Sequence, residues 1–91
     1  MSLKQLKYLI ALYEESHFGR AAERCHVTQS TLSLQISKLE KYLGVVLFNR
    51  TSRNVSPTSF TEAIVPRVRD LVSTVDSIRQ DAKLMDAKLI G

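Results

Sequence analysis

Between Thr28 and Gly44 the chain concentrates amides and hydroxyls at Gln29, Ser30, Thr31, Ser33, Gln35 and Ser37, with Leu34 among them and Lys38 just after. A glutamine amide donates and accepts at once and can pair with adenine in two places, a hydroxyl can serve base or phosphate, and a leucine or threonine methyl can lie against thymine. These residues lie opposite Leu32, Ile36 and Leu39, so they form the solvent side of an amphipathic helix whose first half carries no acid. Exposed Ser, Thr and Gln on a helix are usually just solvated. Their density here, with caps at either end and no carboxylate among them, suits a helix that enters the major groove of DNA. Gln29 and Gln35 are the leading base readers on this reading, with Ser33 and Leu34 as close neighbours and Ser30 on the same side. Thr28, Thr31 and Lys38 are assigned to phosphate.

Arg50 and Arg53 stand a few residues further on, among Thr51, Ser52 and Asn54. Both could lie along the DNA backbone or enter a narrow minor groove, where the potential is most negative. Arg50 has a second reading of nearly equal weight, as an ion-pair partner of Glu40. The other reactive residue types point away from catalysis. Cys25 shares an apolar face with Phe18, Ala21 and Ala22, which suits a small packed residue better than a reactive thiol. His17 and His26 have no nucleophile or carboxylate in a triad-like context, and Glu14-Glu15 project about 100° apart on a helix. One cysteine and two histidines leave no structural zinc set, and no glycine-rich phosphate loop is present. No enzyme, metal or cofactor is expected.

These side chains need elements to hold them. Ser2 with Gln5 three residues later forms a capping box ahead of Leu3, Leu6, Leu9, Ile10 and Tyr13, a helix ending near Glu15. Ser16 is expected to cap a short second helix carrying Phe18, Ala21, Ala22 and Cys25. Thr28 caps the third, which runs to Gly44 in the left-handed region. The second and third make a helix-turn-helix. Val45-Val46-Leu47-Phe48 is too short and β-branched for a helix and Val55 restarts an extended piece, so a small β-hairpin, or wing, should follow with its tip in Asn49 to Asn54. Thr58 caps a final helix in which Pro66 should produce a kink near Glu62 to Val65 or a late start. Beyond it Val68, Leu71, Val75, Ile78, Ala82, Met85 and Leu89 alternate steps of three and four, a heptad seam for pairing with a second copy. Such a helix, roughly 33 Å long from Val68 to Leu89 at about 1.5 Å per residue, outruns what a small globule can cover.

Length and charge set the frame. Ninety-one residues hold one core, and 44% hydrophobic content with 3 Gly and 2 Pro favours a helical domain over disorder or an all-β design. The net charge of +4 lies entirely in residues 1–56, which carry eight basic and four acidic side chains, while residues 57–91 carry five of each. The anionic partner therefore belongs to the first part. A lone cysteine, with neither a signal peptide nor an apolar run of membrane length, fits a cytoplasmic protein with no membrane contact.

Ala21-Ala22, Val27-Thr28-Gln29-Ser30-Thr31-Leu32-Ser33, Ile36, Leu39-Glu40, Leu43-Gly44, Leu47-Phe48-Asn49-Arg50 and Arg53 together resemble the N-terminal DNA-binding domain of LysR-type transcriptional regulators, over essentially the whole chain. Within that family, the stretch from His17 to Gln29 is similar to the OxyR-like peroxide regulators. The resemblance implies an effector domain following Leu89-Ile90-Gly91 and a peroxide-sensing cysteine pair in that domain, so Cys25 is not the sensor. It also places Gln29, Ser33 and the wing arginines at DNA-contacting positions. Ser30 stands where the family usually has proline, Leu34 where it often has a polar or basic residue, and Pro57 with Ser59-Phe60-Thr61 departs from its usual residues.

The expectation is a mainly α protein. A winged helix-turn-helix of three helices and a small hairpin spans residues 1–57, and a long dimerising linker helix spans 58–91. Its partners would be double-stranded promoter DNA and a second copy of the chain, with RNA polymerase and a full-length tetramer as further possibilities. A peroxide-responsive regulator is the leading function and a LysR-type regulator of another signal the runner-up. From a different class, the rival is a helical protein-interaction module.

Overall fold

The structure, a computed structural model, describes residues 1–51 and 54–90, with side chains as far as Asp86. Its elements are α1 (Leu3–Glu15), α2 (Phe18–Arg24), α3 (Gln29–Leu43), β1 (Phe48–Thr51), β2 (Asn54–Pro57) and α4 (Ser59–Ile90). This is a winged helix-turn-helix with a long C-terminal helix. Leu9, Leu12, Leu32, Ile36, Leu39 and Leu47 are fully buried where α1, α3 and the entry to the wing meet, and Ala21 and Ala22 let α2 approach closely. Each large side chain buried there is worth about 1.5–3 kcal/mol of transfer free energy.

The helix ends follow local chemistry. Ser2 accepts from the Gln5 N–H while the Gln5 side chain accepts from the Ser2 N–H, the expected capping box. Ser16 does not cap α2. It closes α1 in the left-handed region at φ 53°, and His17 caps α2 instead, its Nδ1 accepting the Arg20 N–H at 3.0 Å. Two helices joined this tightly need one residue to reverse the chain and another to satisfy the new helix's amides, so the two tasks fall to neighbours. At the end of α2 the Val27 N–H reaches Ala22 O and the His26 N–H reaches Glu23 O, a Schellman closure with His26 at φ 58°. Thr28 then caps α3, and Gly44 ends it at φ 71°.

The hairpin starts later than the run of valines predicts. Val45 to Leu47 lie outside any strand, and β1 consists of Phe48 to Thr51 paired antiparallel with β2, Arg50 opposite Val55. The entry segment satisfies its backbone elsewhere. Glu40 Oε2 accepts the Leu47 N–H at 2.8 Å, Thr58 Oγ1 donates to Val46 O at 2.8 Å, and the buried Thr61 donates to Leu47 O at 2.7 Å. With Leu47 plugged into the core and its polar groups already paired, the segment needs no strand partner.

Of the two outcomes expected at Pro66, a kink near Glu62 to Val65 or a late start, the late start does not occur. α4 begins at Ser59 and continues through Pro66. Thr58 supplies the first turn with acceptors for the Thr61 and Glu62 N–H groups, and Thr61 and Val65 are buried, so packing holds the turns on which proline acts. Glu62 and Pro66 are exposed, and the carbonyl that loses its donor can be hydrated. Val65 and Val68 join the core, and Thr61 is buried beside it, from beyond the expected boundary at Pro57. Val72 and Arg79 still lie against α1, and beyond them α4 projects away. The radius of gyration is 15.5 Å and the long axis 55 Å, against about 12 Å expected for the radius of a compact chain of this length.

Candidate nucleic-acid interface

The face of α3 opposite Leu32, Ile36 and Leu39 is open. Gln29, Ser30, Thr31, Leu34 and Lys38 are exposed, Leu34 to 54%. At 100° per residue, Ser30, Leu34, Lys38 and Lys41 fall into one stripe, with Thr31 beside it. Although proline is absent at Ser30, the first turn is fully formed: the Thr31 N–H donates to Thr28 Oγ1 and the Leu32 N–H to Thr28 O. The Thr28 hydroxyl also donates to Thr31 Oγ1 at 3.0 Å, so Thr28 is committed to the cap and the Thr31 hydroxyl proton stays available.

The flanks of this face are less free than the sequence suggests. Gln35 is half-buried on the α1 side, its Oε1 accepting from Gln5 Nε2 at 3.0 Å. Ser33 lies half-buried on the wing side and accepts from Arg50 Nη1 at 3.4 Å. Arg50 is held from three directions, by Ser33, by Glu40 Oε1 at 3.4 Å and by the ring of Phe18, whose centroid lies 5.1 Å from the guanidinium carbon. The Glu40 partnership is thus present, and Arg50 braces the wing against α2 and α3. Arg53 lies outside the described residues.

Sequence reasoning missed the residues behind this face: Gln5 beside Gln35, Phe18 under Arg50, and Gly19. A Cβ on Gly19 would come within 2.8 Å of His17 Cε1 and 3.1 Å of Gln29 Nε2, so the amide of Gln29 rests against bare backbone of α2. A glycine at the second position of a short helix was the available signal. Cys25 is half-buried at the end of α2, and burial pushes its thiol above the ordinary range, as suits a packed, protonated side chain.

A second unpredicted group lies where α1, α2 and α4 meet. Glu14 Oε1 is 2.6 Å from Arg24 Nη2 and Glu14 Oε2 is 2.8 Å from Arg69 Nη2, while Glu15 takes the other Arg24 nitrogen at 3.4 Å. The Arg69 guanidinium also sits over the Tyr13 ring, 5.6 Å from its centroid. Hydrogen bonds from Arg24 and then Arg69 hold the Glu14 carboxyl below the usual carboxylate range. With Glu40 on Arg50, three of the four acids in residues 1–56 are engaged in internal ion pairs.

The seam on α4 divides. Val68 is buried in its own core and Val75 is half-buried, whereas Leu71, Ile78 and Met85 are exposed to 53%, 61% and 61%. Ala82 is exposed and the Leu89 side chain lies outside the described residues. Among the described residues no helix is long and apolar enough to cross a membrane, and no three His, Cys, Asp or Glu side chains are grouped as a metal ion requires.

Comparison with known proteins agrees with this geometry. The model of the bacterial regulatory helix-turn-helix proteins of the lysR family matches residues 3–62. The DNA-binding transcriptional dual regulator OxyR of Escherichia coli strain K12 is 43% identical over 91 residues, all of this chain and 30% of that protein. The hydrogen peroxide-inducible genes activator of Pectobacterium carotovorum subsp. carotovorum gives the same identity and coverage. Among solved structures, the CbnR DBD-DNA complex superposes with a TM-score of 0.86 at 31% identity, covering 94% of this chain and 99% of that one. The chain spans about a third of the length of the curated relatives it matches. With a family model matched over most of its length and a winged helix-turn-helix presenting an open third helix, the chain belongs to the LysR family of bacterial regulatory helix-turn-helix proteins.

Proposed function

We propose that this chain is the DNA-binding part of a cytoplasmic, peroxide-responsive transcriptional regulator. It would bind a roughly palindromic promoter site as a two-fold dimer through the linker helix of residues 58–91. The observation that carries the reading is the open, acid-free face of α3, with Gln29, Ser30, Thr31 and Leu34 exposed and Lys38 at its far edge. Gln29 is the leading base reader, Leu34 is placed to meet a thymine methyl, and Thr31 and Lys38 serve phosphate. Gln35 and Ser33 act from the flanks, each already holding one neighbour. Thr28 and Arg50 position the reading helix, and Arg53 is assigned to the DNA backbone from its place in the sequence.

The dimer reading is supported by the apolar side chains that α4 leaves in water. Leu71 borders an apolar groove of about 200 Å³ with Met1, Leu6, Phe60 and Ile64, and Ile78 and Met85 continue the seam beyond the globule. Half-sites would then lie about 34 Å apart, or a multiple of it. The peroxide signal is supported by relatives named hydrogen peroxide-inducible genes activators.

A salt titration tests the DNA reading. Log affinity should fall steeply with log salt, at about 0.9 per phosphate neutralised, and a flat dependence would favour the protein-interaction module. Selection from random DNA gives the operator. If the full-length protein binds that operator identically with and without hydrogen peroxide, and controls its promoter alike in both, the signal is a different one.

A further inference from the structure

We infer that Glu14 is a positioning residue that sets the angle between α4 and the helix-turn-helix, and thereby the half-site spacing the dimer accepts. The inference rests on the dimer reading above. One carboxylate joins three elements: Glu14 on α1 holds Arg24 in the last turn of α2, immediately before the helix-turn-helix turn, and Arg69 on α4. Its place along α4 gives it leverage. Among the described residues Val68 is the last of α4 that is buried, and Val72 beyond it is half-buried. Beyond Arg69 the packing of α4 against the core continues through Val72, and the next ion pair to α1 is Lys7 with Asp76 at 3.8 Å, both side chains exposed.

The remaining helix acts as a lever. From Arg69 to Ile90 it is roughly 32 Å long at about 1.5 Å per residue, so a tilt of about 5° at Arg69 moves its far end by about 3 Å. That is close to one base-pair step, about 3.4 Å, and two-fold symmetry doubles any change in the separation of the two α3 helices. Removing the Glu14 charge leaves Arg24 and Arg69 facing the same site without it, with Glu15 still compensating Arg24 alone. The α4 joint should open while the Leu32/Ile36/Leu39 core, which holds α3, is untouched.

The test uses duplexes carrying two copies of the half-site selected by the wild-type chain, with spacing stepped one base pair at a time, and a duplex carrying a single half-site. Glu14→Gln should lower the preference for the best spacing over its neighbours about three- to five-fold, or shift it by a base pair, as loss of a networked ion pair permits. Single-half-site affinity should stay within about two-fold, and sedimentation should still show a dimer. Arg69→Gln, which keeps the Glu14–Arg24 pair, should reproduce the effect and carries the test if Glu14→Gln does not fold. A wild-type spacing profile in folded, dimeric variants overturns the inference. A wild-type chain that is monomeric or indifferent to spacing overturns the dimer reading, and the inference with it.

Discussion

α3 and α4 are written in nearly the same pattern, apolar residues at steps of three and four, and they fare differently. In α3 every apolar residue of that series from Leu32 to Leu39 is fully buried, and what remains outside is polar apart from Leu34 and Tyr42. In α4 the series enters the core at Val65 and Val68 and then runs out of globule, leaving Leu71, Ile78 and Met85 more than half exposed. Periodicity reports that a helix has an apolar face; whether that face is already covered depends on how much neighbouring structure there is along its length. In α3 the exposed side becomes the informative one, and in α4 the apolar side does.

The contrast can be broken by truncation on each helix. Leu39→Ala on α3 should cost about 2–5 kcal/mol of stability by urea denaturation, because the site is sealed and the cavity cannot fill with water. A loss under about 1 kcal/mol would mean that the core of α3 is not packed as described. On α4, Val75→Asp with Ile78→Asp should abolish dimers in sedimentation and leave the fold intact. Persistence of the dimer would remove the seam.

Two substitutions sharpen the reading of the exposed side of α3. Gln29→Ala should cost about 1–3 kcal/mol on the cognate site alone, and equal loss on random DNA would show that Gln29 reads no base. Leu34→Ala should change stability by no more than about 0.5 kcal/mol while weakening cognate binding; in α4 the equally exposed Ile78→Ala should weaken dimerisation instead. The smallest effect concerns pH. Glu14 has a depressed carboxyl pKa in the folded chain, so its stabilisation is present above the ordinary value of 4.5 and is lost as pH falls through the folded value. The melting difference between wild type and Glu14→Gln should therefore be constant near neutrality and close in acid. It should stay within about 1 kcal/mol, since the side chain is partly exposed. A difference that grows on acidification would contradict the pairing.

Much of the fold was legible because its signals are local. The Ser2-Gln5 capping box, the Thr28 cap and the Gly44 stop each act within four residues, and periodicity then places the buried face of α3. The misreadings occurred where distant groups decide. Val45 to Leu47 looked like a strand until Glu40, Thr58 and Thr61 took up its backbone groups, and Ser16 looked like a cap until the reversal between α1 and α2 assigned that task to His17.

The candidate site divides in the same way. Which residues face outward on α3, and that they carry amides and hydroxyls without acids, follows from composition and a repeat of 3.6, so the sequence by itself determined the chemistry of the surface. Which of those groups are free was decided by the tertiary structure. Gln35 is engaged by Gln5 thirty residues earlier, Arg50 by Ser33, Glu40 and Phe18, and Glu14 by Arg69 fifty-five residues later. Hydrogen bonds and ion pairs act over about 3–4 Å, and only the packing of helices around Leu9, Leu12, Leu32 and Leu39 brings such separated groups within that range.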